Sequence, residues 1–188
     1  MRLFIGIALA PETVNSLANV RQQFEPSAGA DLRWSLPETW HVTLQFLGQT
    51  SEEQQACVIE KLRTIRAAQV PVRIHGLGFF ERAGVFWAGV ALTPELLALQ
   101  QFVTAAMRNC GFVPEERAYS PHITFARTKG RAGAKALAPL QKAVEQTTID
   151  LTAEFTAAEF MLYESIPGPQ GSRYEVRERF PLITPARE

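Results

Sequence analysis

Cysteines and long apolar runs are both scarce in this chain, and each scarcity excludes a class of protein. Cys57 and Cys110 are the only two cysteines among 188 residues, so we expect reduced thiols in a cytoplasmic protein rather than a disulfide framework. No apolar run approaches the roughly 18 residues of a membrane-spanning helix, and we expect no contact with a membrane. The 19 basic and 19 acidic side chains cancel, which excludes general polyanion binding through net charge.

The histidines are also few, and their spacing does not favour a metal site. The chain has three, His41, His75 and His122, without an HxH or HExxH pair, and neither cysteine belongs to a CxxC pair. A zinc site built from all three is an alternative that this spacing disfavours, so we expect no metal. His75 lacks the threonine that follows the other two histidines, and we interpret it as a structural residue.

The N-terminal segment MRLFIGIALAPE permits two interpretations. An early arginine, a short apolar stretch and two alanines, Ala8 and Ala10, are features of a signal peptide. The alternative is a first β-strand over residues 3–10 that Pro11 ends. We favour the strand because the positive end and the apolar stretch are both at the short limit for a signal.

The predicted helices and strands follow an order that occurs twice: strand, helix, strand, strand. One round begins at His41 and the other at His122. Because consecutive strands are joined by short turns, we expect antiparallel sheets with helices outside them, an α+β duplication of two lobes. The predicted helices cover 11–24, 51–68, 94–111 and 133–146. The predicted strands cover 3–10, 40–48, 71–80, 84–92, 120–127, two stretches within 149–165, and 173–182, and 25–39 is predicted to be a loop.

Both rounds begin with the same pattern: HVTL at 41–44 and HITF at 122–125. Side chains two apart in a strand share a face, so His41, Thr43 and Gln45 are predicted on one face. Alternation places Phe46 on the other face, in the core, rather than against a nucleobase. Two interpretations remain for Trp34 in the predicted loop, stacking on a nucleobase or packing within the protein. Tyr119 likewise either lines a cleft or packs within the protein.

Two such histidine and threonine edges, brought face to face, can cleave a phosphodiester without metal. A neutral imidazole can take a proton from water while a protonated one gives a proton to the departing oxygen. The threonine hydroxyls can donate hydrogen bonds to the phosphate oxygens. The Arg127 guanidinium also suits phosphate. In a regular strand, however, Arg127 would face away from His122, so its role requires a bulge or a strand end.

Basic residues are concentrated around the second motif. Residues 117–142 contain no acidic side chain, which favours an anionic ligand. For each basic residue of this segment except Arg127, a position on a solvated loop or helix surface is an equally good interpretation. The six basic residues are Arg117, Arg127, Lys129, Arg131, Lys135 and Lys142.

The segments HVTLQFLG and SPHITFAR together resemble the paired HxTx signature of the 2H phosphoesterases, most closely the RNA 2′,3′-cyclic phosphodiesterases, also called 2′-5′ RNA ligases. RLFIGIAL is similar to the opening strand of that family, and FMLYES with YEVRERFPL to its closing strands, so the resemblance covers nearly the whole chain. Phe125 stands where leucine is commoner. The resemblance implies one domain over 1–188, an α+β bilobal duplication in which two antiparallel sheets face a central cleft.

By that resemblance His41 is the proton donor and His122 the proton acceptor, while Thr43, Thr124 and Arg127 bind the phosphate. The two motifs are themselves too symmetric to assign donor and acceptor. The implied reaction opens a terminal 2′,3′-cyclic phosphate on RNA to a 2′-phosphomonoester, without metal or cofactor. It extends to reversible 2′-5′ ligation of tRNA halves. The implied partners are RNA 3′ ends or small cyclic nucleotides, and we expect a monomer.

Two other functions remain open on the sequence. One is a non-catalytic module that binds RNA ends or nucleotides. The other retains the chemistry with a different substrate, either 2′-5′ oligoadenylates or another small cyclic phosphate. The near-zero net charge fits a short ligand at least as well as long RNA.

Overall fold

The computed structural model describes residues 1–130, 133–149, 151–169 and 171–184, except the side chains of 133 and 134. The longest described helix has 15 residues, and none of the described helices is long and apolar enough to cross a membrane. The α-helices of this part are α1 (Pro11–Phe24), α2 (Glu52–Leu62), α3 (Pro94–Arg108) and α4 (Ala138–Gln146). The strands are β1 (Arg2–Ala8), β2 (Leu32–Trp34), β3 (His41–Gln49), β4 (Val70–Phe80), β5 (Val85–Val90), β6 (His122–Thr128), β7 (Thr152–Ala157), β8 (Glu159–Ile166) and β9 (Arg173–Pro181).

The strands form two antiparallel sheets, and each sheet takes strands from both halves of the sequence. The four-stranded sheet has the order β3-β1-β8-β9, and the five-stranded sheet has the order β2-β6-β5-β4-β7. Every pairing within these sheets is antiparallel. The predicted α+β class with two antiparallel sheets is therefore confirmed.

The helices pack on the sheets through faces that their sequences predict. Helix α3 contacts β3 and β4, and α1 contacts β7. Residues three or four apart share a face of a helix, and the buried residues of α3 follow that spacing: Leu96, Leu99, Val103 and Met107. Burying a side chain of this size contributes about 1.5–3 kcal/mol, so this contact fixes both sheets against one helix.

The N-terminal segment is a strand at the centre of the four-stranded sheet. Strand β1 pairs with β3 on one side and with β8 on the other. Its side chains Leu3, Ile5 and Ile7 lie in the main hydrophobic core. The strand interpretation of this segment is therefore confirmed.

The prediction of an uninterrupted loop over 25–39 is wrong, since β2 lies within it. Leu32, Arg33 and Trp34 pair with Thr128, Arg127 and Ala126 of β6. A strand of three residues depends on its neighbour more than on its own propensity. Its sequence therefore carried too little signal to identify it.

Helix α2 begins as predicted and ends earlier. Ser51 accepts a hydrogen bond from the Gln54 backbone N–H, and the Gln54 side chain accepts one from Ser51, which completes the capping box. The helix ends at Leu62 rather than 68, because hydrogen bonds from Thr64 to Lys61 and from Ile65 to Leu62 tighten its last turn. Helix α4 is likewise shorter than predicted, with a 3₁₀ turn over residues 133–137 before it.

The expectation of reduced thiols is wrong, because Cys57 and Cys110 form a disulfide. The two residues are 53 apart in sequence, which gives no local pattern that predicts a pair. Helix α2 packs against α3, and this packing brings the two Cα atoms to 5.8 Å. That separation lies within the usual range for a disulfide.

Candidate active site

The two motif strands come from different sheets and meet at the junction between them. Strand β3 is an edge strand of the four-stranded sheet, and it contacts β6 of the five-stranded sheet. The Tyr119 hydroxyl, just before β6, donates a hydrogen bond to the backbone carbonyl of Thr43 at 2.8 Å. Burial raises the pKa of Tyr119, so its hydroxyl stays protonated as a donor. Tyr119 therefore joins the two motif strands.

This junction brings all five sequence-predicted site residues to one cavity of about 70 Å³. A cavity of this size has room for a few water molecules, or for one small anion in their place. Its lining includes His41, Thr43, His122, Thr124 and Arg127.

The two imidazoles are held by the same kind of hydrogen bond. The His41 Nδ1–H donates to the backbone carbonyl of Thr39 at 2.8 Å, and the His122 Nδ1–H donates to that of Ser120 at 2.8 Å. A carbonyl oxygen only accepts, so the Nδ1 of each neutral ring carries the proton. Each histidine is left with Nε2 as the nitrogen that can gain or lose a proton near neutral pH.

The environment of the cavity disfavours the positive form of both rings. Burial lowers the pKa of His41 from 6.5 to about 4, the bond to Thr39 opposes this, and the charges of His122 and Arg127 add to it. Burial also lowers the pKa of His122, with a further contribution from the Arg127 charge. An anion in the cavity would counter these positive charges.

A β-bulge turns Arg127 toward the cavity. Phe86 of β5 lies opposite Ala126 and Trp87 lies opposite Thr124, so Phe125 has no partner in the register. Phe125 and Ala126 are both fully buried. Because the bulge adds one residue to β6, Arg127 returns to the face of Thr124. This is the irregularity that the sequence argument required.

Strand β3 contains the corresponding bulge, and two predictions about its faces are wrong. Gln45 lies opposite Ile5 and Thr43 lies opposite Gly6, which leaves Leu44 without a partner. Alternation therefore fails after Thr43. Gln45 is only 8% exposed instead of lying beside His41, and Phe46 is 57% exposed instead of packing in the core.

Phe46 and Arg127 occupy equivalent places in the two motifs. Each is the second residue after a bulge at the fourth motif position, and each lines the cavity. Phe46 is a site residue that alternation concealed. The repeated motif could have identified it. Aligning HVTLQF with HITFAR gives Phe46 and Arg127 the same position, and the sequence argument already required a bulge to bring Arg127 to the site.

Aromatic rings surround both histidines. The His41 ring lies 4.6 Å from Phe4 and 5.1 Å from Tyr174, which is perpendicular to it. The His122 ring lies 4.8 Å from Phe80, also perpendicular. Tyr174 lines the cavity, and burial raises its pKa. No sequence pattern identified Tyr174, because it reaches the site only through the pairing of β9 with the rest of its sheet.

A larger cavity of about 450 Å³ adjoins the first and shares Phe46, Arg127 and Tyr174 with it. Trp34 also lines this second cavity. The Trp34 ring packs edge-on against Phe86 at 6.0 Å and lies beneath the Arg21 guanidinium at 5.3 Å. Trp34 therefore packs and lines a cavity at the same time.

The other residues considered from the sequence lie outside these cavities. His75 is exposed on β4 and lines neither of them. Among the described residues, no three histidine, cysteine or acidic side chains are placed to hold a metal ion. Of the six basic residues, Arg127 reaches the cavities, and Arg131 lies outside the described residues. The other four line neither cavity: Arg117, Lys129, Lys135 and Lys142.

Known proteins with similar sequences and folds cover nearly the whole chain. An RNA 2′,3′-cyclic phosphodiesterase of Aeropyrum pernix is 30% identical over 166 residues, 86% of this chain and 92% of that protein. One of Thermotoga maritima is 30% identical over 182 residues, 94% of this chain and 92% of that protein. The crystal structure of Escherichia coli LigT complexed with 3′-AMP has a TM-score of 0.79 at 25% identity, over 97% of this chain and 98% of that one.

The family described as LigT like Phosphoesterase matches residues 7–87 and 90–174. Each matched segment contains one of the two motifs, His41 with Thr43 in the first and His122 with Thr124 in the second. These matches cover most of the sequence and agree with the duplication that the motifs predicted. The chain belongs to the LigT-like phosphoesterase family, within the 2H phosphoesterases that its paired motifs resemble.

Proposed function

We propose that this chain is a metal-independent RNA 2′,3′-cyclic phosphodiesterase that opens a terminal cyclic phosphate to a 2′-phosphomonoester. The observation that carries the proposal is the cavity in which two histidines, each bonded through Nδ1 to a backbone carbonyl, meet two threonines and an arginine. The names of its relatives support the same reaction.

In the proposed reaction, water attacks the phosphorus atom and the bond from phosphorus to the ribose O3′ breaks. His122 takes the proton from water through Nε2, and the protonated Nε2 of His41 gives a proton to O3′. Thr43, Thr124 and Arg127 hold the non-bridging oxygens. The assignment of donor and acceptor follows the family resemblance, whereas the requirement for one imidazole in each state follows from proton balance.

Product analysis on an RNA ending in a 2′,3′-cyclic phosphate, in EDTA, tests the proposal. We expect the 2′-phosphate alone, and kcat reduced by roughly 10²–10⁴-fold in both His41→Ala and His122→Ala. His75→Ala is the matched control, because it removes an exposed histidine outside both cavities, and it should retain activity. Full activity in both single variants would contradict the proposal, as would a 3′-phosphate product.

A binding module without catalysis is the second candidate, and the environment of the histidines disfavours it. The lowered pKa values of the two imidazoles leave them largely neutral at neutral pH. Neutral rings add little to the binding of an anion, whereas they serve as a base. Tight binding of the cyclic end with no product after long incubation would establish the module instead.

The choice among substrates is tested with the same protein. We propose the RNA cyclic phosphate as the main substrate. Its kcat/KM is compared with those of 2′-5′ oligoadenylates and nucleoside 2′,3′-cyclic phosphates, each measured in a separate reaction. Ligation is the same ring opening with a ribose 5′-hydroxyl in place of water, so it is assayed with paired tRNA halves. A higher kcat/KM for 2′-5′ oligoadenylates than for the RNA cyclic phosphate would show that the oligoadenylates are the main substrate instead.

We also propose that the protein acts as a monomer in the cytoplasm. The absence of a membrane-spanning helix from the described residues is compatible with this location. The Cys57–Cys110 disulfide is more usual in oxidising compartments. Cell fractionation with rapid thiol trapping tests the location, and light scattering tests the oligomeric state. Recovery of the protein outside the cytoplasm would contradict the proposed location. A dimer at assay concentration would contradict the proposed monomer.

A further inference from the structure

Tyr174 reaches the site from strand β9, and packing explains its ring but not its hydroxyl. The centre of its ring lies 5.1 Å from that of His41 and 4.8 Å from that of Phe4, with an edge-to-face arrangement in both cases. A phenylalanine would make the same two contacts. The hydroxyl therefore needs another explanation, and it belongs to a residue that lines both cavities.

The Tyr174 hydroxyl is the one tyrosine hydroxyl without a partner among the described residues. Tyr119 donates to the Thr43 carbonyl, and Tyr163 donates to the Met161 sulfur. The Tyr174 oxygen is also not among the enclosed polar atoms that lack a partner, so it is accessible. Buried and half-buried polar groups normally have hydrogen bonds. A free donor beside a cavity is thus available to a ligand.

The charges around Tyr174 favour an anion beside its hydroxyl. Arg127, Arg2 and Arg33 act on it electrostatically, but burial outweighs them and raises its pKa. The hydroxyl therefore stays protonated at neutral pH and can donate a hydrogen bond to a phosphate oxygen. Arg127, which lines the same two cavities, is the guanidinium proposed to hold the reacting phosphate.

The proposed reaction can use a further donor at the phosphate. When water attacks phosphorus, negative charge increases on the two non-bridging oxygens, and each oxygen can accept more than one hydrogen bond. Thr43 and Thr124 can each donate one, and Arg127 adds its guanidinium. A donor that is already in place and meets the developing charge stabilises the transition state more than the ground state.

We propose that Tyr174 is a further catalytic residue, whose hydroxyl donates a hydrogen bond to one non-bridging oxygen of the reacting phosphate. The inference rests on the proposed function and adds a fourth side chain to its three phosphate-binding residues. Tyr174 keeps its own proton throughout, so the acid and base roles of His41 and His122 are unchanged. Because its ring packs on His41, one side chain contacts the proton donor and the phosphate together.

The first experiment removes only the hydroxyl and measures hydrolysis of an RNA that ends in a 2′,3′-cyclic phosphate. In Tyr174→Phe we expect kcat to fall roughly 10–10²-fold, as for the loss of one hydrogen-bond donor to a developing charge, with a smaller change in KM. Tyr163→Phe is the matched control, because its ring also contacts Phe4, at 4.9 Å, and lines neither cavity. Its kcat should be retained. An unchanged kcat in Tyr174→Phe would overturn the proposal.

The second experiment distinguishes a contact with the phosphate from an effect through His41. Sulfur accepts hydrogen bonds weakly, so the two diastereomers of a terminal 2′,3′-cyclic phosphorothioate report on the two non-bridging oxygens separately. In the wild type we expect one diastereomer to react more slowly than the oxygen substrate, and this ratio of rates should become several-fold smaller in Tyr174→Phe. Unchanged ratios for both diastereomers would overturn the proposal. A displaced pH profile of kcat would then show that Tyr174 acts through His41 instead.

The outcomes separate this inference from the proposed function. If the wild type hydrolyses no cyclic phosphate, the proposed function fails, and the role of Tyr174 fails with it. If the wild type and Tyr174→Phe hydrolyse the RNA equally, the function stands and only the role of Tyr174 is overturned. Circular dichroism spectra and urea denaturation of both variants confirm that a lower kcat does not result from unfolding.

Discussion

The two histidines show how one residue type takes its chemistry from its surroundings. Each ring is fixed through Nδ1 by a backbone carbonyl two residues earlier. The pKa of His41 nevertheless falls to about 4 through burial and nearby positive charge. In the proposed mechanism His41 is the proton donor and must begin the reaction protonated, whereas its lowered pKa leaves it mostly neutral at neutral pH. Binding of an anion reverses the electrostatic part of this effect.

We therefore predict that an anion raises the pKa of His41. Sulfate is the suitable probe, because it fits a phosphate site and does not titrate near neutral pH. In NMR titrations of the imidazole signals, the pKa of His41 should rise by about one unit or more with saturating sulfate. His75 is the internal control, since it is exposed outside the cavities. An unchanged His41 pKa, despite bound sulfate, would contradict the prediction.

The pH dependence of catalysis follows from the same shifts. Because both free-protein histidine pKa values lie below 6.5, kcat/KM should already be falling at pH 7 and should rise as the pH is lowered toward about 6. The profile of kcat reports the substrate complex, where the anion raises the pKa of His41, so its alkaline limb should lie at higher pH. Steady-state kinetics across this range measures both limbs. Coincident limbs would show that the bound phosphate does not act on the donor.

At the scale of single elements, the two bulges decide what reaches the cavity. The bulge in β6 was foreseeable because Arg127 made sense only with one. The bulge in β3 was not foreseen, because an apolar Phe46 agrees with simple alternation and so raised no conflict. A pattern of hydrophobicity identifies a strand, whereas the pairing with its neighbours determines which face each residue takes.

One described side-chain hydrogen bond supports the contact between the two motif strands, from Tyr119 to the Thr43 carbonyl, beside the packing of their buried apolar side chains. Tyr119→Phe removes this bond and keeps the ring. We expect a loss of about 1 kcal/mol in the free energy of unfolding, measured by urea denaturation, and a reduced kcat as β3 and β6 lose their fixed relation.

Tyr163→Phe is the control for this change. The Tyr163 hydroxyl bonds to the Met161 sulfur at 3.0 Å, and thioether sulfur is a weak acceptor. Its loss should affect stability less than the loss of the Tyr119 hydroxyl. Equal effects of the two substitutions would show that the Tyr119 bond has no special role.

At the scale of the whole molecule, the disulfide connects α2 to the turn that follows α3, and these two helices pack on one another. It joins Cys57 and Cys110, which are separated by 53 positions in the sequence. Reduction, or the double substitution Cys57→Ser and Cys110→Ser, should lower the free energy of unfolding by about 2–4 kcal/mol. Activity at 25 °C should remain, because neither cysteine lines a cavity. Denaturation with and without reductant measures the effect, and two titratable thiols in the untreated protein would contradict it.

The sequence predicted the parts of this molecule that local patterns determine. The starts of α1, α2 and α3, the capping box of α2 and the paired motifs are all signals within a few residues. Strand β2, the disulfide and the place of Tyr174 depend on contacts between residues far apart in the chain. The larger cavity is also of this kind, since Arg2, Arg33 and Arg127 come together only when the two sheets meet.

The unlike residues after the two bulges have a consequence for the direction of the reaction. A groove with two identical halves would bind a substrate with equal free energy in either of two orientations related by a two-fold rotation. Each imidazole would then donate the proton in one orientation and accept it in the other. Phe46 on one wall and Arg127 on the other make those orientations unequal. In the proposed mechanism, this difference between the two walls favours one orientation of the substrate, in which each imidazole keeps one role.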